Sequence, residues 1–200
     1  MVFLKRQQTD KTALLTNTSS AALRKAFRDL KAKISLSMNG NGAKTIAVTS
    51  TSATDGQVSV AINLALTFAA SGMRTLLVDA DIDSCALATF LENIKPSATG
   101  VAAVQKNLDF LSCCKGNELP YLNKSSFAFM ETLKNAYDYI IINSPSALSV
   151  ADMSVITPLC DGTVLVCKKY LSSIPDVQKS LSILDIVKAN VLGVIVNDNK

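Results

Sequence analysis

Thr45-Ile46-Ala47-Val48, then Thr49-Ser50-Thr51-Ser52-Ala53-Thr54-Asp55-Gly56-Gln57-Val58-Ser59, then Val60-Ala61-Ile62-Asn63-Leu64-Ala65 is the stretch that decides the fold. A short continuous apolar run leads through a Ser/Thr/Gly loop into a segment with the spacing of a helix from Ser59 to Ala70. The same rhythm continues downstream. Thr75-Leu76-Leu77-Val78, Leu108 to Leu111, Tyr139-Ile140-Ile141-Ile142, Thr163-Val164-Leu165-Val166 and Val191 to Val196 are further apolar runs. Helix candidates lie between them near Ser125 to Ala136, Ala151 to Leu159 and Ile174 to Val187. Continuous rather than alternating apolar residues mark strands covered on both faces, which predicts an α/β fold: a mostly parallel central sheet with helices on both faces.

Upstream, Ala22, Phe27, Leu30, Ile34 and Leu36 recur near helical spacing, with Arg24, Lys25, Arg28, Lys31 and Lys33 in the gaps. That pattern predicts a basic amphipathic helix over about 19–37, ended by Met38-Asn39-Gly40-Asn41-Gly42. Residues 1–18 show no period and are expected as an N-terminal arm ahead of a single domain over 19–200. At 200 residues, one domain with a real core is the expectation.

Composition narrows the chemistry. With 48% hydrophobic residues and a mean hydropathy of +0.28, the chain is not of the disordered class. Histidine and tryptophan are absent, which removes Ser-His-Asp triads and helical His-Glu-x-x-His zinc sites. A net charge of +4 falls short of a nucleic-acid footprint, so nucleic acid is not the expected partner. Cys85, Cys113, Cys114, Cys160 and Cys167 show no Cys-x-x-Cys spacing and are expected as buried thiols of a reducing cytosol. No apolar window has the length of a membrane span or signal peptide, which predicts a soluble chain.

Ligands of open α/β sheets sit beyond the carboxyl ends of the strands, so the informative residues are in the turns after the apolar runs. Three such turns are the loop before Ser59, Leu77-Val78-Asp79-Ala80-Asp81, and Tyr137-Asp138-Tyr139-Ile140-Ile141-Ile142-Asn143-Ser144-Pro145. In this order they resemble the deviant P-loop ATPases, most closely the bacterial tyrosine kinases of capsular and exopolysaccharide synthesis. Members of that family carry a loop like TSxxPGEGKST, a helix reading VAANLA, a strand ending in DAD and another ending in YDYIIIDTPP. The resemblance runs from about Ser19 to Asn199. It includes the Gly116 to Leu119 loop, the Asp161-Gly162 turn and the closing Leu192-Gly193-Val194-Ile195-Val196-Asn197. It implies a P-loop NTPase-like domain, Mg-ATP or ADP as cofactor, and a membrane adaptor of polysaccharide export or an active kinase paralogue as partner. It also implies a cytoplasmic location at the inner face of the membrane.

The departures fall on the residues that handle phosphate and magnesium. Aligned on Asn63-Leu64-Ala65, the family lysine falls on Gln57, its magnesium-ligating Ser or Thr on Val58, an earlier glycine on Thr54, and the aspartate of the later strand on Asn143. Gln brings no charge to a phosphate and Val no oxygen to a cation. Each preorganised donor lost at a charged transition state costs roughly 3–4 kcal/mol, so three losses predict phosphoryl transfer near background. Ser59 lies one residue further round the helix, about 100° from the Val58 direction, and reaches the same cation only if the loop re-registers. The degenerate nucleotide site is therefore read as Thr54, Asp55, Gly56, Gln57, Val58, Ser59 and Asn197, with Asp79, Asp81 and Asn143 vestigial and magnesium, if bound, on Asp79 and Asp81. Plainer readings stand beside these. Asp79 and Asp81 cap the following segment, Asn143 bonds the neighbouring turn, Asn197 is a turn residue, and the basic helix presents a solvated face.

The helix motif ExxRxxR, which packs family members into rings, falls on Lys25-Ala26-Phe27-Arg28-Asp29-Leu30-Lys31 with its acidic member reversed in sign. The family's terminal tyrosine cluster has no counterpart among Tyr121, Tyr137, Tyr139 and Tyr170. The sequence leaves three functions open: a pseudokinase acting through protein contacts, homo-oligomeric or with an adaptor; an active tyrosine kinase or ATPase with a rearranged loop; and a relative of the septum- and chromosome-positioning ATPases that tethers DNA.

Overall fold

The computed structural model describes residues 2–5, 20–38, 45–87, 100–113 and 126–198. The eight strands are β1 (Val2–Lys5), β2 (Thr45–Ser50), β3 (Thr75–Asp79), β4 (Val101–Gln105), β5 (Leu108–Ser112), β6 (Tyr139–Asn143), β7 (Gly162–Lys168) and β8 (Val191–Asp198). The helices are α1 (Ala21–Ser37), α2 (Gln57–Ala70), α3 (Ser126–Ala136), α4 (Val150–Ile156) and α5 (Ile174–Ile186), with a 3-10 turn at Thr157–Leu159 after α4. The strands form one sheet in the order β1-β8-β7-β2-β6-β3-β5-β4. Every pairing is parallel except that of β4 with β5. The expected α/β architecture is therefore the one observed.

Alternate residues of each buried strand serve opposite faces, and the two cores divide accordingly. Ile46, Val48, Leu77, Ile141, Val164 and Val166 pack with α1 and α2 on one side. Ala47, Leu76, Val78, Ile140 and Ile142 pack with Met130 and Leu133 of α3 and with Ile156 and Leu159 on the other. Leu165 continues that second face toward Leu184 of α5 and Met153 of α4. Both faces are covered, which is why the runs carry no polar alternation.

Three local expectations change. Val2–Lys5, expected within an arm, add a parallel edge strand to β8, with Val2 opposite Ile195 and Lys5 opposite Asp198. Four residues are too short for periodicity to reveal a strand. β4 is a second strand without a signal in the sequence, because its face alternates between buried and exposed on an antiparallel edge. In α1 the inward stripe is Leu23, Phe27, Leu30 and Ile34, while Ala22 is exposed and Leu36 is 71% exposed. The i, i+4, i+7, i+11 spacing places that stripe on one face, and Ser20 caps the helix by accepting the Leu23 N–H at 3.2 Å. The arm from residue 6 to 18, Cys114, the Gly116 to Leu119 loop and Tyr121 lie outside the described residues.

Candidate functional site: a loop filled by its own side chains

Parallel pairing aligns the carboxyl ends of β2, β3, β6, β7 and β8 at one edge, and the residues named from the sequence gather there. After Ser50 the chain turns through Thr51–Asp55 and enters α2 from Gly56, whose φ is +86°. Left-handed backbone suits glycine, and a Cβ at this position would also collide with Asn197 Nδ2. The left-handed conformation lies at Gly56 and not at Thr54, which is exposed and free of positive φ.

The loop interior holds two side chains of the loop itself. Asp55, 1% exposed, accepts hydrogen bonds from the Thr51 hydroxyl, from the Ser52 N–H at 2.9 Å and from Ser172 Oγ at 3.0 Å. Gln57, 2% exposed, accepts from the Ser50 hydroxyl and donates through Nε2 to the Ser144 carbonyl at 2.8 Å. Asn197 donates through Nδ2 to the Asp55 carbonyl at 2.9 Å, so it holds the loop and is not the turn residue of the plainer reading. Ser172, after β7, also accepts the Lys168 N–H at 2.7 Å. Ser144 and Ser172 do not stand out in the sequence as site residues. Their one signal is a hydroxyl soon after an apolar strand, too common to select them.

Asn143 lies between Val48 of β2 and Asp79 of β3 in the register. Its Nδ2 donates to Asp79 Oδ1 at 2.9 Å, both residues being fully buried. The bond runs across the sheet to the start of the neighbouring Asp79-Ala80-Asp81 turn, whose Ala80 N–H also donates to the Asn143 carbonyl at 2.8 Å. Asn143 Oδ1 has no hydrogen-bond partner among the described residues, which leaves one buried acceptor to a water or a ligand. Asp81 does cap: its carboxylate accepts from the Ser84 N–H at 3.3 Å and from Ser84 Oγ at 2.6 Å. Val58 packs against the α1/α2 core, and Ser59 Oγ faces Asn63 Nδ2 of its own helix at 3.5 Å.

Cys113 and Cys167 are buried as expected, and Cys160 is half-buried. Burial first, and the nearby Asp79 charge second, push the Cys113 thiol far up; burial and then Asp55 raise Cys167. Cys85 departs from the expectation: it is half-buried, at φ +47°, and disulfide-bonded, so it is not a free core thiol.

The donor set does not fit a magnesium-bound triphosphate. The Ser52 N–H and Thr51 hydroxyl are spent on Asp55, Gln57 is tied at both ends without charge, and Val58 has no oxygen. Among the described residues there is no group of three or more His, Cys, Asp or Glu side chains that could hold a metal ion. One feature of a phosphate site persists: α2 begins without a side-chain cap and without an acidic residue in its first turn.

Comparison with known proteins places this geometry in a class. Residues 46–200 match the family described as the CobQ/CobB/MinD/ParA nucleotide binding domain. The chain is 31% identical over 179 residues to the tyrosine-protein kinase CpsD of Streptococcus pneumoniae serotype 4, covering 81% of this chain and 79% of that one. It is 28% identical over 191 residues to the tyrosine-protein kinase YwqD of Bacillus subtilis, covering 87% and 80%. Its backbone is similar to that of the BceF tyrosine kinase domain, with a TM-score of 0.82, 23% identity and coverage of 97% and 91%. The septum site-determining protein MinD of Pyrococcus horikoshii, complexed with Mg-ADP, gives a TM-score of 0.63 at 21% identity, covering 77% and 70%. The chain belongs to the bacterial tyrosine-kinase family within that nucleotide-binding domain class.

Proposed function

We propose that this chain is a catalytically impaired tyrosine-kinase-like protein of capsular or exopolysaccharide biosynthesis, a regulator or scaffold that works through protein contacts. Its partners in this reading are a membrane adaptor or an active kinase paralogue, met at the cytoplasmic face of the membrane, and self-association is compatible with it. The single observation that carries the reading is the filled loop: Asp55 engages the Thr51 hydroxyl and the Ser52 N–H, and Gln57 offers a neutral amide bonded at both ends where the family carries a cation. The Asn143–Asp79 hydrogen bond supports it, since a neutral amide beside Asp79 removes the need for a bridging cation. Among the described residues no helix is long and apolar enough to cross a membrane.

The test is a calorimetric titration of the purified chain with ADP and ATP, with and without magnesium, beside a Gln57→Lys, Val58→Ser, Asn143→Asp variant. Absent or magnesium-independent weak heat for the natural chain, with magnesium-dependent binding in the variant, is the expected result. Tight magnesium-dependent binding by the natural chain would overturn it. That outcome would favour the second reading, an active ATP-dependent tyrosine kinase or ATPase with a rearranged loop, which the uncapped start of α2 supports. The DNA-tethering reading ranks third, its one support being the basic helix.

A further inference from the structure

The pseudokinase reading makes no use of α1, yet the molecule's charge imbalance resides there. Arg24, Lys25, Arg28, Lys31 and Lys33 stand against the single carboxylate Asp29 in this helix, which accounts for the whole net charge of +4; the rest of the chain carries fifteen cations and fifteen acids. Arg24, Lys25, Arg28 and Lys33 are exposed, and Lys31 is half-buried with its ammonium 5.7 Å from the centre of the Phe68 ring. The fold does not account for this placement. Among the described residues Lys25, Arg28 and Lys33 have no ion pair. The cations begin in the N-terminal half of α1, where the helix dipole disfavours them, and none occupies the last turn, where the dipole would favour them. Arg24 and Arg28 are spaced i, i+4, which sets like charges side by side.

The opposite face of α1, Leu23, Phe27, Leu30 and Ile34, is sunk in the core, so the cations form an outward surface about 14 Å long. Between them the helix exposes Ala21, Ala22, Asp29 and Ala32. No aromatic residue or methionine lies among them to anchor in a protein partner's pocket. At the C-terminal end, next to Lys33, Leu36 is 71% exposed at the rim of a shallow groove of about 420 Å³ that also includes Leu192 and Val194. A spread of cations without fixed anchors, ending in one exposed leucine, suits a fluid anionic surface whose headgroups move to meet it.

We propose that the outer face of α1 binds the surface of an anionic phospholipid bilayer directly, giving the chain its own membrane contact in addition to any adaptor. This contact is independent of nucleotide binding and stands whether or not the site transfers phosphate.

The test is flotation of the full chain with phosphatidylcholine vesicles prepared with and without phosphatidylglycerol, at low and moderate salt. Binding is expected only with phosphatidylglycerol and is expected to fall steeply as salt rises. Each cation near an anionic surface contributes about a factor of five, so a Lys25→Gln, Arg28→Gln, Lys33→Gln variant should bind roughly 100-fold more weakly. All three side chains are exposed, and an unchanged thermal melt confirms that the variant is folded. An Arg24→Lys, Arg28→Lys variant should bind as the natural chain does, because headgroups read charge rather than the guanidinium fork. Equal binding to vesicles without phosphatidylglycerol, undiminished binding by the glutamine variant, or loss in the lysine variant would each overturn the proposal. So would release from the vesicles by duplex DNA at equal phosphate concentration, which would transfer the face to nucleic acid.

Discussion

Asn143 decides whether the end of β6 needs a cation. With asparagine, Asp79 Oδ1 receives a neutral N–H at 2.9 Å in a fully buried setting. An Asn143→Asp change would set two carboxylates side by side, and at an effective dielectric near 20 a pair about 4 Å apart repels by about 4 kcal/mol. The variant is expected to lose ~2–4 kcal/mol at pH 7 by urea denaturation, partly recovered by millimolar magnesium. The sign with pH comes from the repulsion. A like charge raises the folded-state pKa of the pair above the unfolded value near 4, so the protonated form is favoured on folding. The deficit is smallest in acid and grows as pH rises through the folded-state pKa. A deficit equal at pH 4.5 and pH 7, with no response to magnesium, would refute this account.

Among the elements, the junction of α3 with β6 is tied to β5 by one phenol: Tyr137 OH donates to Asp109 Oδ2 at 2.9 Å. Burial first, and then the hydrogen bond and charge of Asp109, push Tyr137 up to about 12. The folded state favours the neutral phenol, so this contribution is full below pH 10 and is lost as pH rises from 10 through 12. A Tyr137→Phe variant should cost no more than ~1 kcal/mol at pH 7 and should lose less stability than the natural chain between pH 10 and 12, read from urea midpoints. It keeps the share of alkaline sensitivity owed to Cys160, whose burial pushes it up to about 12 as well. An unchanged alkaline slope would show that the Tyr137–Asp109 bond does not couple these elements.

Across the molecule, the sheet closes on β1, a strand from the first residues paired to β8, one of the last. Removing residues 1–5 turns β8 into an edge and leaves its N–H and C=O groups on that side to water. The domain should still fold, since the cores on both faces of the sheet involve α1 to α5 and the central strands. The midpoint of thermal unfolding should fall by about 2–4 °C for each kcal/mol lost. Amide exchange should rise at Val196 and Asp198, opposite Phe3 and Lys5, whose N–H groups face β1, and not at Asn197, whose carbonyl faces β7 and accepts the Lys169 N–H at 2.8 Å. Unaltered exchange there would mean that β1 contributes nothing to the sheet.

The α/β class and the positions of the central strands are legible in the amino-acid order alone, because a strand buried on both faces carries a continuous apolar run in its middle, as Ile140, Ile141 and Ile142 do. The loop and its three unusual residues are legible for a similar reason: Asn143 ends a strand that its own apolar run marks, and Gln57 and Val58 open the helix reached by the loop after another such strand. β1 and β4 are not, since pairing with a neighbour rather than burial defines those strands. That the loop is filled from within is a property of the folded molecule. Beside the local Ser50, Thr51 and Ser52, the partners that fix Asp55 and Gln57 come from Ser144, Ser172 and Asn197, which are 87, 117 and 142 residues away along the chain. No pattern in the sequence joins residues so far apart; parallel pairing does, by bringing the carboxyl ends of β2, β6, β7 and β8 to one edge.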